Sequence, residues 1–496
     1  MKTESSSRES TEARRNFIGG EWLPSATGEV YERRNPFDQS LAGIYQDSGP
    51  EDAARAIGAA RQAFDHGPWP RLPAAERAAV LQRAAALLRE RAPRIADTMA
   101  REVGQPRSEQ LKAVAGAAQA LDYYAGLIVA RRDEAVAGQR ADALGLVIKE
   151  PVGVVGSLTA WNAPLSLTHK ACPGLAAGCT VVIKPAHQSA GAVLEFAAIL
   201  QEAGLPPGAL NVVTSARDNG AVVGQAIAGS ALVDLVTFTG SSVTGKAVMR
   251  AAADHLTRVK LELGGKSPTI VFADAPSLPH AAAAAAKGIF RLAGQSCQAG
   301  SRLLVQDAVK DEFMRLLLRE VAAIRLGDPF ADDTACGPLV SEAQLQRVAD
   351  YVEIGRGEAK LLAGGRRPQR EDLARGFFFE PTVFDDVPPT ARIATEEIFG
   401  PVLAVTAFRD AEHAIELANA TKFGLVGSCW TSNLGTAMAV ARRVTAGLLW
   451  INCSRDEPPL KHLPTVFRRA SGIGAEMGPE GLDAFLEAKS VMIKHG

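Results

Sequence analysis

The segment TVVIKPAHQSAGAVLEFAAILQEAGLPPGALNVVT (180–214) determines the fold that we predict. It begins with a continuous apolar strand, continues as a helix over 189–203, and ends in the strand ALNVVT (209–214). The alternation continues through LVDLVTFTG (232–240) to RVKLELGG (258–265). Strands that alternate with helices of this length are typical of βαβ units in a parallel sheet. Because the strands are continuously apolar, we expect helices to cover both faces of that sheet.

A second alternation of strands and helices begins at SPTIVFAD (267–274) and includes SRLLVQ (301–306). We therefore predict two α/β domains with a boundary near residue 265. The last residues, EAKSVMIKH (487–495), alternate like a strand. A strand that follows the second domain needs a partner, which could lie in another subunit. The polar residues 1–15 are predicted to form a mobile tail.

Composition and charge exclude several classes of protein. Hydrophobic residues make up 47% of the 496 residues, which argues against a largely disordered chain. The 54 Lys and Arg nearly cancel the 55 Asp and Glu, so there is no basic excess of the kind that nucleic-acid binding favours. The polar N-terminus lacks the apolar core of a secretory signal, and we find no apolar run of ~18 residues. We therefore expect a cytoplasmic protein that binds neither nucleic acid nor membrane.

The six cysteines do not form a metal motif. They lie at 172, 179, 297, 336, 429 and 453, with no C-x-x-C pair and no zinc-finger spacing to a histidine pair. Six cysteines are also too few for a disulfide scaffold in a chain of this length. We expect reduced thiols, mostly buried, and no bound metal.

Three residues have side chains suited to nucleophilic catalysis. Cys297 lies in the glycine-flanked loop GQSCQAGSR and could be a nucleophile or an inert thiol. Glu262 lies inside the apolar strand of LELGGKSP, where it could be a general base or one half of an ion pair. Asn162 in TAWNAPLSL could donate to an oxyanion or form an Asx turn before Pro164.

Two further features suggest a ligand at one edge of the first sheet. Lys184 ends the strand VVIK, and the carboxyl ends of parallel strands are where ligands bind in open α/β sheets. The position of Lys184 is explained equally well by a solvated lysine at the end of a strand. Gly240 and Gly245 open the helix in FTGSSVTGK (238–246), which is a weak signal for phosphate binding.

In this order, these segments resemble the aldehyde dehydrogenase superfamily of NAD(P)-dependent enzymes, over about residues 16 to 493. The resemblance is carried by EPVGVVG (150–156), WNAP (161–164), IKPA (183–186), FTGS (238–241), LELGGKSP (261–268), GQSCQAG (294–300), EEIFGPV (396–402) and SGIGAEMG (471–478). The combination of LELGGKSP with GQSC about 35 residues later is highly specific.

The resemblance implies an α/β fold in three parts. A Rossmann-like, parallel-sheet cofactor domain would comprise residues 1–128 and 152–264, and a second α/β catalytic domain would comprise 265–470. A small β oligomerisation arm would combine 129–151 with 480–496. The arm accounts for the unpartnered terminal strand and implies a homodimer or homotetramer.

The resemblance also implies a mechanism for oxidising an aldehyde to a carboxylic acid. Cys297 would attack the aldehyde and form a thiohemiacetal, while Asn162 and the backbone N–H of Cys297 hold the oxyanion. Hydride transfer to the nicotinamide would leave a thioester, which water activated by Glu262 would hydrolyse.

The implied cofactor is NAD or NADP, in contact with Trp161, Lys184, His187, Gly240, Ser241, Leu263, Glu397 and Phe399. Lys184 matches the lysine that bonds the adenosine ribose, and Gly240 and Ser241 match the turn near the pyrophosphate. Glu397 matches the carboxylate that bonds the nicotinamide ribose.

Three departures from the family pattern affect the ligands. Ala163 replaces a frequent aromatic residue, which suggests a wider or differently shaped substrate entrance. His187 replaces a glutamate that bonds the ribose hydroxyls and repels a 2′-phosphate, so NADP use is open. The segment 464–472 has lost two glycines, and the charged loop 452–464 before it leaves open a polar substrate or a merely solvated loop.

Three other functions compete with aldehyde oxidation to the acid. Relatives that form acyl-CoA release the thioester to a thiol and commonly lack the base, so Glu262 favours hydrolysis. A non-catalytic binding or structural protein would have no physical need for Asn162, Glu262 and Cys297 together. Ester hydrolysis would be a side activity of the same cysteine.

Overall fold

The computed structural model describes residues 12–137, 140–455 and 460–495. Most of the predicted tail, residues 1–11, lies outside the described residues. The prediction is wrong for the end of the tail, because the backbone N–H of Arg14 donates to Ile44 O over 2.9 Å. Arg14 forms a parallel β-bridge with Tyr45, so the chain is already fixed at this point.

The strands of the described residues are, in chain order, β1 (Asn16–Ile18), β2 (Glu21–Leu23), β3 (Val30–Arg34), β4 (Leu41–Gln46), β5 (Glu134–Val136), β6 (Ala143–Pro151), β7 (Val154–Leu158), β8 (Thr180–Lys184), β9 (Leu210–Val212), β10 (Leu235–Thr239), β11 (Arg258–Glu262), β12 (Pro268–Val271), β13 (Arg302–Gln306), β14 (Lys360–Ala363), β15 (Thr382–Asp385), β16 (Val402–Phe408), β17 (Phe423–Gly424), β18 (Val426–Trp430), β19 (Leu448–Ile451), β20 (Thr465–Val466), β21 (Arg468–Arg469), β22 (Gly472–Ile473), β23 (Ala475–Glu476) and β24 (Leu486–Lys494).

The α-helices are α1 (Pro50–Asp65), α2 (Ala74–Glu90), α3 (Ala92–Val103), α4 (Arg107–Ala130), α5 (Cys172–Ala177), α6 (Ala190–Glu202), α7 (Ala221–Ala228), α8 (Ser242–Ala253), α9 (Leu278–Phe290), α10 (Lys310–Ala322), α11 (Glu342–Glu358), α12 (Arg392–Thr395), α13 (Ala411–Asn419), α14 (Leu434–Arg443) and α15 (Gly478–Asp483). Pro93 lies in the first turn of α3 and explains the break after α2. Gly104, with φ of 73°, ends α3 in the left-handed conformation.

The first sheet has the order β2-β1-β9-β8-β7-β10-β11-β22. Its five central strands, β9, β8, β7, β10 and β11, are parallel to one another. At the edges, β1 pairs antiparallel with β9, β2 with β1, and β22 with β11. Residues of β7 and β8 are buried throughout, as their continuous apolar sequences predict. This is the parallel α/β sheet predicted from residues 180–265.

The second sheet has the order β14-β15-β16-β13-β12-β18-β19 and is parallel except for β14. The chain passes from the first sheet to the second between Glu262 and Pro268. Its central strands pack against α9 and α10, whose buried faces include Phe290 and Phe313.

The third sheet contains three strands, in the order β24-β6-β5. β24 pairs with β6 antiparallel along its whole length, from Leu486 opposite Pro151 to Lys494 opposite Ala143. The terminal strand therefore has a partner within its own chain, and its other edge is open.

The helix α4 is long and apolar enough to cross a membrane, by length and composition alone. Core helices of globular proteins meet the same criterion. Its buried residues include Val114, Leu121 and Tyr124, which belong to the core cluster shared with α2 and the first sheet. This packing accounts for the apolar character of α4 without a membrane.

Candidate active site

The site lies where the order of the first sheet reverses. β7 is flanked by β8 on one side and β10 on the other, so the connections after β7 and β10 leave in opposite directions. Such a switch point opens a crevice at the carboxyl ends of the strands. Trp161 and Asn162 follow β7, and Gly240 and Ser241 follow β10.

A cleft of about 790 Å³ occupies this crevice. The residues predicted from the sequence that line it are Trp161, Asn162, Lys184, His187, Gly240, Ser241, Leu263, Cys297, Glu397 and Phe399. Glu262 lies directly behind this lining, in hydrogen-bond contact with Cys297. The structure thus brings every sequence-predicted site residue to one cleft.

The loop that carries Cys297 is fixed by two close backbone approaches. Gly294 has φ of 69°, and a Cβ atom there would lie 1.9 Å from Gly400 O. A Cβ atom on Gly265 would lie 2.3 Å from the carbonyl oxygen of Cys297 itself. Only glycine permits either approach, so both glycines hold the cysteine loop at the end of β11.

The Cys297 thiol donates a hydrogen bond to Glu262 Oε1 over 2.9 Å. The hydroxyl of Thr239 donates to the other carboxylate oxygen, Oε2, over 3.1 Å. Thr239 and Glu262 are opposite each other in the β10–β11 register, so sheet pairing orients the carboxylate. The carboxylate is therefore positioned to accept the thiol proton.

Burial raises the pKa of Cys297 well above its usual value, and the neighbouring Glu262 carboxylate raises it further. Arg455 acts in the opposite direction. The thiol is therefore the stable form in this arrangement. A reaction that needs the thiolate has to move the proton to an acceptor, and Glu262 is in contact with it.

A buried ion pair lies behind Glu262. Lys170 Nζ is 2.8 Å from Glu476 Oε1 and 3.5 Å from Glu262 Oε2. Burial alone would lower the pKa of Lys170, but Glu476 and Glu262 outweigh it and raise that pKa. For Glu476, burial is outweighed by Lys170, Lys260 and His169, which lower its pKa. Both groups are therefore charged next to the proposed base.

Asn162 faces the cysteine loop from the opposite side. Its side-chain Nδ2 donates to Gln295 O over 3.1 Å, two residues before Cys297. Its own carbonyl oxygen accepts a hydrogen bond from Gln105 Nε2 over 3.0 Å. The amide is thus held close to the thiol from both ends, as an oxyanion donor requires.

Lys184 and His187 form one end of the cleft. Burial lowers the pKa of Lys184 to about 8, and no carboxylate of the described residues counters this effect. Burial lowers the pKa of His187 to about 4, and the charges of Lys184 and Arg33 add to this effect. The His187 ring lies edge-on to Tyr31, with centroids 6.3 Å apart. His187 is therefore neutral near neutral pH.

Glu397 and Phe399 lie on a loop at the other end of the cleft. Gly265 N donates to Glu397 Oε1 over 2.9 Å, and burial raises the pKa of this carboxyl. Phe399 adopts φ of 61°, and its ring meets Trp161 edge-to-face at 5.6 Å. Gln344 Nε2 donates to Phe399 O over 2.8 Å, which helps to hold this strained backbone.

Ser241 begins the helix α8 at the cleft. Its side chain accepts a hydrogen bond from Thr244 N over 3.1 Å and caps the helix. The first N–H groups of α8 follow Gly240 at the carboxyl end of β10. A helix start in this position favours an anionic group such as a pyrophosphate.

The loop predicted to border the substrate entrance is described in part. Arg455 Nη1 donates to Ser296 Oγ over 2.7 Å, next to the catalytic loop. His462 stacks on Tyr123 with centroids 4.3 Å apart. Asp456 and Glu457 lie outside the described residues. The polar-substrate hypothesis therefore stays a prediction.

Sequence reasoning missed four residues around the site: Gln105, Lys170, Thr239 and Glu476. Lys170 had a signal, since it is a charged residue in the otherwise apolar segment LSLTHKACPGL. Glu476 lies in the segment SGIGAEMG that carries the family resemblance, but that segment suggested no role for it. Among the described residues, no group of three or more His, Cys, Asp and Glu could hold a metal ion. Cys297 and Cys453 are partly exposed, and the other four cysteines are buried.

Comparisons with known proteins agree with this geometry. The model of the aldehyde dehydrogenase family matches residues 22–491. The betaine aldehyde dehydrogenase of Bacillus subtilis (strain 168) is 40% identical over 477 residues, covering 96% of each chain.

Two solved structures have the same fold over nearly the whole chain. The NAD-dependent aldehyde dehydrogenase from Sinorhizobium meliloti has a TM-score of 0.94 at 40% identity, covering 98% of this chain and 95% of the other. A betaine aldehyde dehydrogenase from Staphylococcus aureus, solved in complex with NAD+, has a TM-score of 0.94 at 36% identity. That match covers 97% of this chain and 95% of the other.

Proposed function

This chain belongs to the aldehyde dehydrogenase family, and we propose that it oxidises an aldehyde to the carboxylic acid with NAD or NADP. The observation that carries the proposal is the hydrogen bond of 2.9 Å between the Cys297 thiol and Glu262 in the cofactor-sized cleft. A nucleophile in contact with its base is the arrangement that covalent catalysis requires.

In the first step, Cys297 attacks the aldehyde carbon. The thiol proton passes to Glu262, a C–S bond forms, and the carbonyl electrons move to oxygen. Asn162 Nδ2 and the backbone N–H of Cys297 stabilise that oxyanion. Losing one such donor typically costs ~10²–10³ in rate. The tetrahedral product is a thiohemiacetal on Cys297.

Oxidation and hydrolysis follow on the same sulfur. A bound nicotinamide would supply the hydride acceptor. When the oxyanion of the thiohemiacetal collapses and hydride leaves the carbon, a thioester on Cys297 remains, and Glu262 releases the thiol proton to solvent. The ionised Glu262 then takes a proton from water, the hydroxyl oxygen bonds the acyl carbon, and the C–S bond breaks. Cys297 leaves as a thiolate and regains its proton from Glu262. The overall change is aldehyde, oxidised cofactor and water to acid, reduced cofactor and a proton.

The residues of the cleft fit a dinucleotide. The start of α8 at Ser241 offers backbone N–H groups to a pyrophosphate. Lys184 offers a buried ammonium, and Glu397 offers a buried carboxylate at the opposite end. A ribose hydroxyl can bond to either group, and the volume of about 790 Å³ lies within the range of cofactor sites.

Hydrolysis is favoured over transfer of the acyl group to a thiol. Glu262 is 7% exposed and has contacts with Cys297, Thr239 and Lys170 that hold a base beside the reacting sulfur. An acyl-transferring enzyme would not need this base. Adding coenzyme A to the assay would detect acyl-CoA if this assignment is wrong.

We also propose that two or more copies of this chain associate through the third sheet. β24 has an open edge, and the sheet exposes the apolar side chains Val136, Met492 and Ile493. An open edge with exposed apolar residues favours pairing with another chain. Light scattering should give a molar mass well above the 52.2 kDa of one chain. A monomeric mass would reject this proposal.

A substrate panel with a cysteine variant tests the proposed function. The protein is mixed with aliphatic, aromatic and charged aldehydes and with NAD or NADP, and the absorbance of the reduced cofactor is followed. We expect turnover with at least one aldehyde and its loss in Cys297→Ala, by on the order of 10⁴-fold or more. Cofactor binding, measured by calorimetry, should survive the substitution. Absence of both turnover and cofactor binding would favour a non-catalytic protein.

A further inference from the structure

We propose that Gln105 and Arg33 are positioning residues that hold the two oxyanion donors of this site from opposite sides. The proposal rests on the function proposed above. Neither residue lines the cleft. Gln105 acts through Asn162, which does line it, and Arg33 acts through Val340 and Gln295 on the loop that carries Cys297. Arg33 contacts the last turn of α3 at Glu102, and Gln105 lies in the short link between α3 and α4.

Gln105 holds Asn162. Its Nε2 donates to Asn162 O over 3.0 Å, and its Oε1 accepts from Gln110 Nε2 over 2.6 Å. Gln105 is 3% exposed, so water cannot easily replace either bond. Because Gln110 fixes the orientation of the Gln105 amide, that amide presents a donor to the Asn162 backbone. The other end of Asn162 is its Nδ2, which donates to Gln295 O over 3.1 Å.

Arg33 holds the loop that carries Cys297. Its Nε donates to Glu102 O over 2.7 Å, and its Nη2 donates to Val340 O over 2.9 Å. Val340 N in turn donates to the side chain of Gln295, at Oε1, over 2.9 Å. Gln295 is fully buried and lies two residues before Cys297. Three hydrogen bonds, through Arg33 and Val340, therefore link the end of α3 to the Gln295 side chain in the cysteine loop.

The contact at Glu102 has a local physical reason. The last carbonyl groups of a helix lack partners within the helix and carry the negative end of its dipole. Glu102 O is such a group, because α3 ends at Val103 and Gly104 turns away with φ of 73°. A guanidinium satisfies this carbonyl and still has donors for Val340 O. Burial lowers the pKa of Arg33 to about 10, so it remains charged near neutral pH.

Together with the covalent chain between them, these contacts close a ring that contains Asn162 and Gln295. Starting at the α3–α4 junction, one side runs through Gln105 to Asn162, and the other runs through Arg33 and Val340 to Gln295. The two sides meet at the hydrogen bond between Asn162 Nδ2 and Gln295 O. Since a misplacement of about 1 Å can cost ~10²-fold in rate, the ring fixes a distance on which catalysis depends.

The test separates oxyanion stabilisation from reactivity of the thiol. The full-length protein is assayed as the Gln105→Met and Arg33→Met variants. One measurement is the rate constant of the first burst of reduced cofactor, with the burst amplitude giving the number of active sites. The other is the rate of Cys297 alkylation by iodoacetamide, which needs the thiolate and develops no oxyanion.

We expect Gln105→Met to slow the burst by about 10- to 100-fold, while alkylation changes by less than about twofold. Arg33→Met should slow the burst by about 10-fold, and Arg33→Lys should restore part of the loss, because lysine keeps a charge but not the planar fork. Gln110→Met leaves the Gln105–Asn162 bond in place and should have a smaller effect than Gln105→Met.

Arg77 supplies the matched control for Arg33. It is buried, whereas Arg33 is half-buried, and it likewise donates through Nε to a backbone carbonyl, Ala176 O, over 3.0 Å, but it lies outside the ring. Arg77→Met should lower the melting temperature of the protein without lowering the rate constant of the burst. The proposal would be overturned if Gln105→Met slowed the burst and the alkylation of Cys297 equally. It would also be overturned if this variant did not lower the rate constant of the burst. A wild-type protein that reduces no cofactor with any aldehyde would instead overturn the proposed function on which it rests.

Discussion

The two ends of the cleft differ in whether the protein itself pairs their buried charges. At the catalytic end, Glu262 has three partners, and the charges of Lys170 and Glu476 are paired at 2.8 Å. At the other end, no carboxylate supports the Lys184 ammonium, and burial alone lowers its pKa to about 8. Both ends are buried, so burial does not explain the difference.

The difference indicates what each end does. Charges that the protein itself satisfies are held in place for a reaction, because a fixed proton acceptor costs no reorganisation. A buried cation that the protein leaves unsatisfied is suited to a ligand that brings its own acceptors. The charges of the catalytic end are thus paired within the chain, whereas we propose that the cofactor completes the Lys184 end.

The largest effect is expected from breaking the buried pair at the catalytic end. Lys170→Met leaves Glu476 as an unpaired buried charge, which should cost ~3–5 kcal/mol of unfolding free energy near neutral pH. Chemical denaturation of the wild type and the variant measures this difference in unfolding free energy. The lowered pKa of Glu476 means that the pair stabilises the fold above the carboxyl's unfolded pKa. The cost of the substitution should therefore shrink as the pH falls and Glu476 takes up a proton.

A double variant controls for lost packing. Lys170→Met combined with Glu476→Gln removes both charges and should recover much of the stability. If Lys170→Met costs the same free energy at acidic and neutral pH, the catalytic end does not depend on paired charge. The contrast between the two ends would then fail.

A smaller effect is expected from adding a carboxylate at the other end. His187→Glu should supply a partner for Lys184 and repel a 2′-phosphate. The ratio of kcat/KM for NADP to that for NAD should fall by about 10-fold or more. Steady-state kinetics with both cofactors measures the ratio.

His187→Gln is the matched control, because it is neutral like the histidine and retains a donor. Its cofactor ratio should stay close to that of the wild type. Since the pKa of His187 is lowered to about 4, the wild-type ratio should not change through titration of this residue between about pH 6 and 8. If the ratio of kcat/KM for NADP to that for NAD did not change in His187→Glu, this end of the cleft would not discriminate between the two cofactors at the 2′ position.

The sequence predicts most of the parallel sheets because their strands are short, apolar and bounded by glycine and proline. It does not predict α11, α13 or α14, where charged residues interrupt the apolar positions, and it does not predict the short strands β18 and β19. Family motifs locate Cys297, Glu262 and Asn162, since those motifs are short and continuous in the chain.

Contacts between segments that are far apart in the sequence cannot be predicted from such local motifs. The pairing of Lys170 with Glu476 joins residues about 300 positions apart, and Arg33 contacts Val340, 307 positions away. The sequence also leaves the charge of His187 open, because its pKa depends on burial beside Lys184 and Arg33. These features come from packing, which local patterns do not specify.

The central claim is that Cys297 carries a thioester whose hydrolysis needs Glu262, and mass spectrometry of Glu262→Gln tests it most directly. The variant is mixed with aldehyde and oxidised cofactor, quenched, and the peptide containing Cys297 is weighed. We predict that the burst becomes slower, because Glu262 also accepts the thiol proton, but that it still reaches one reduced cofactor per site. The acyl-enzyme then accumulates, because later turnover is slowed more strongly, by ~10²–10⁴-fold. A variant that loses the burst together with turnover, and carries no acyl group on Cys297, would contradict the account.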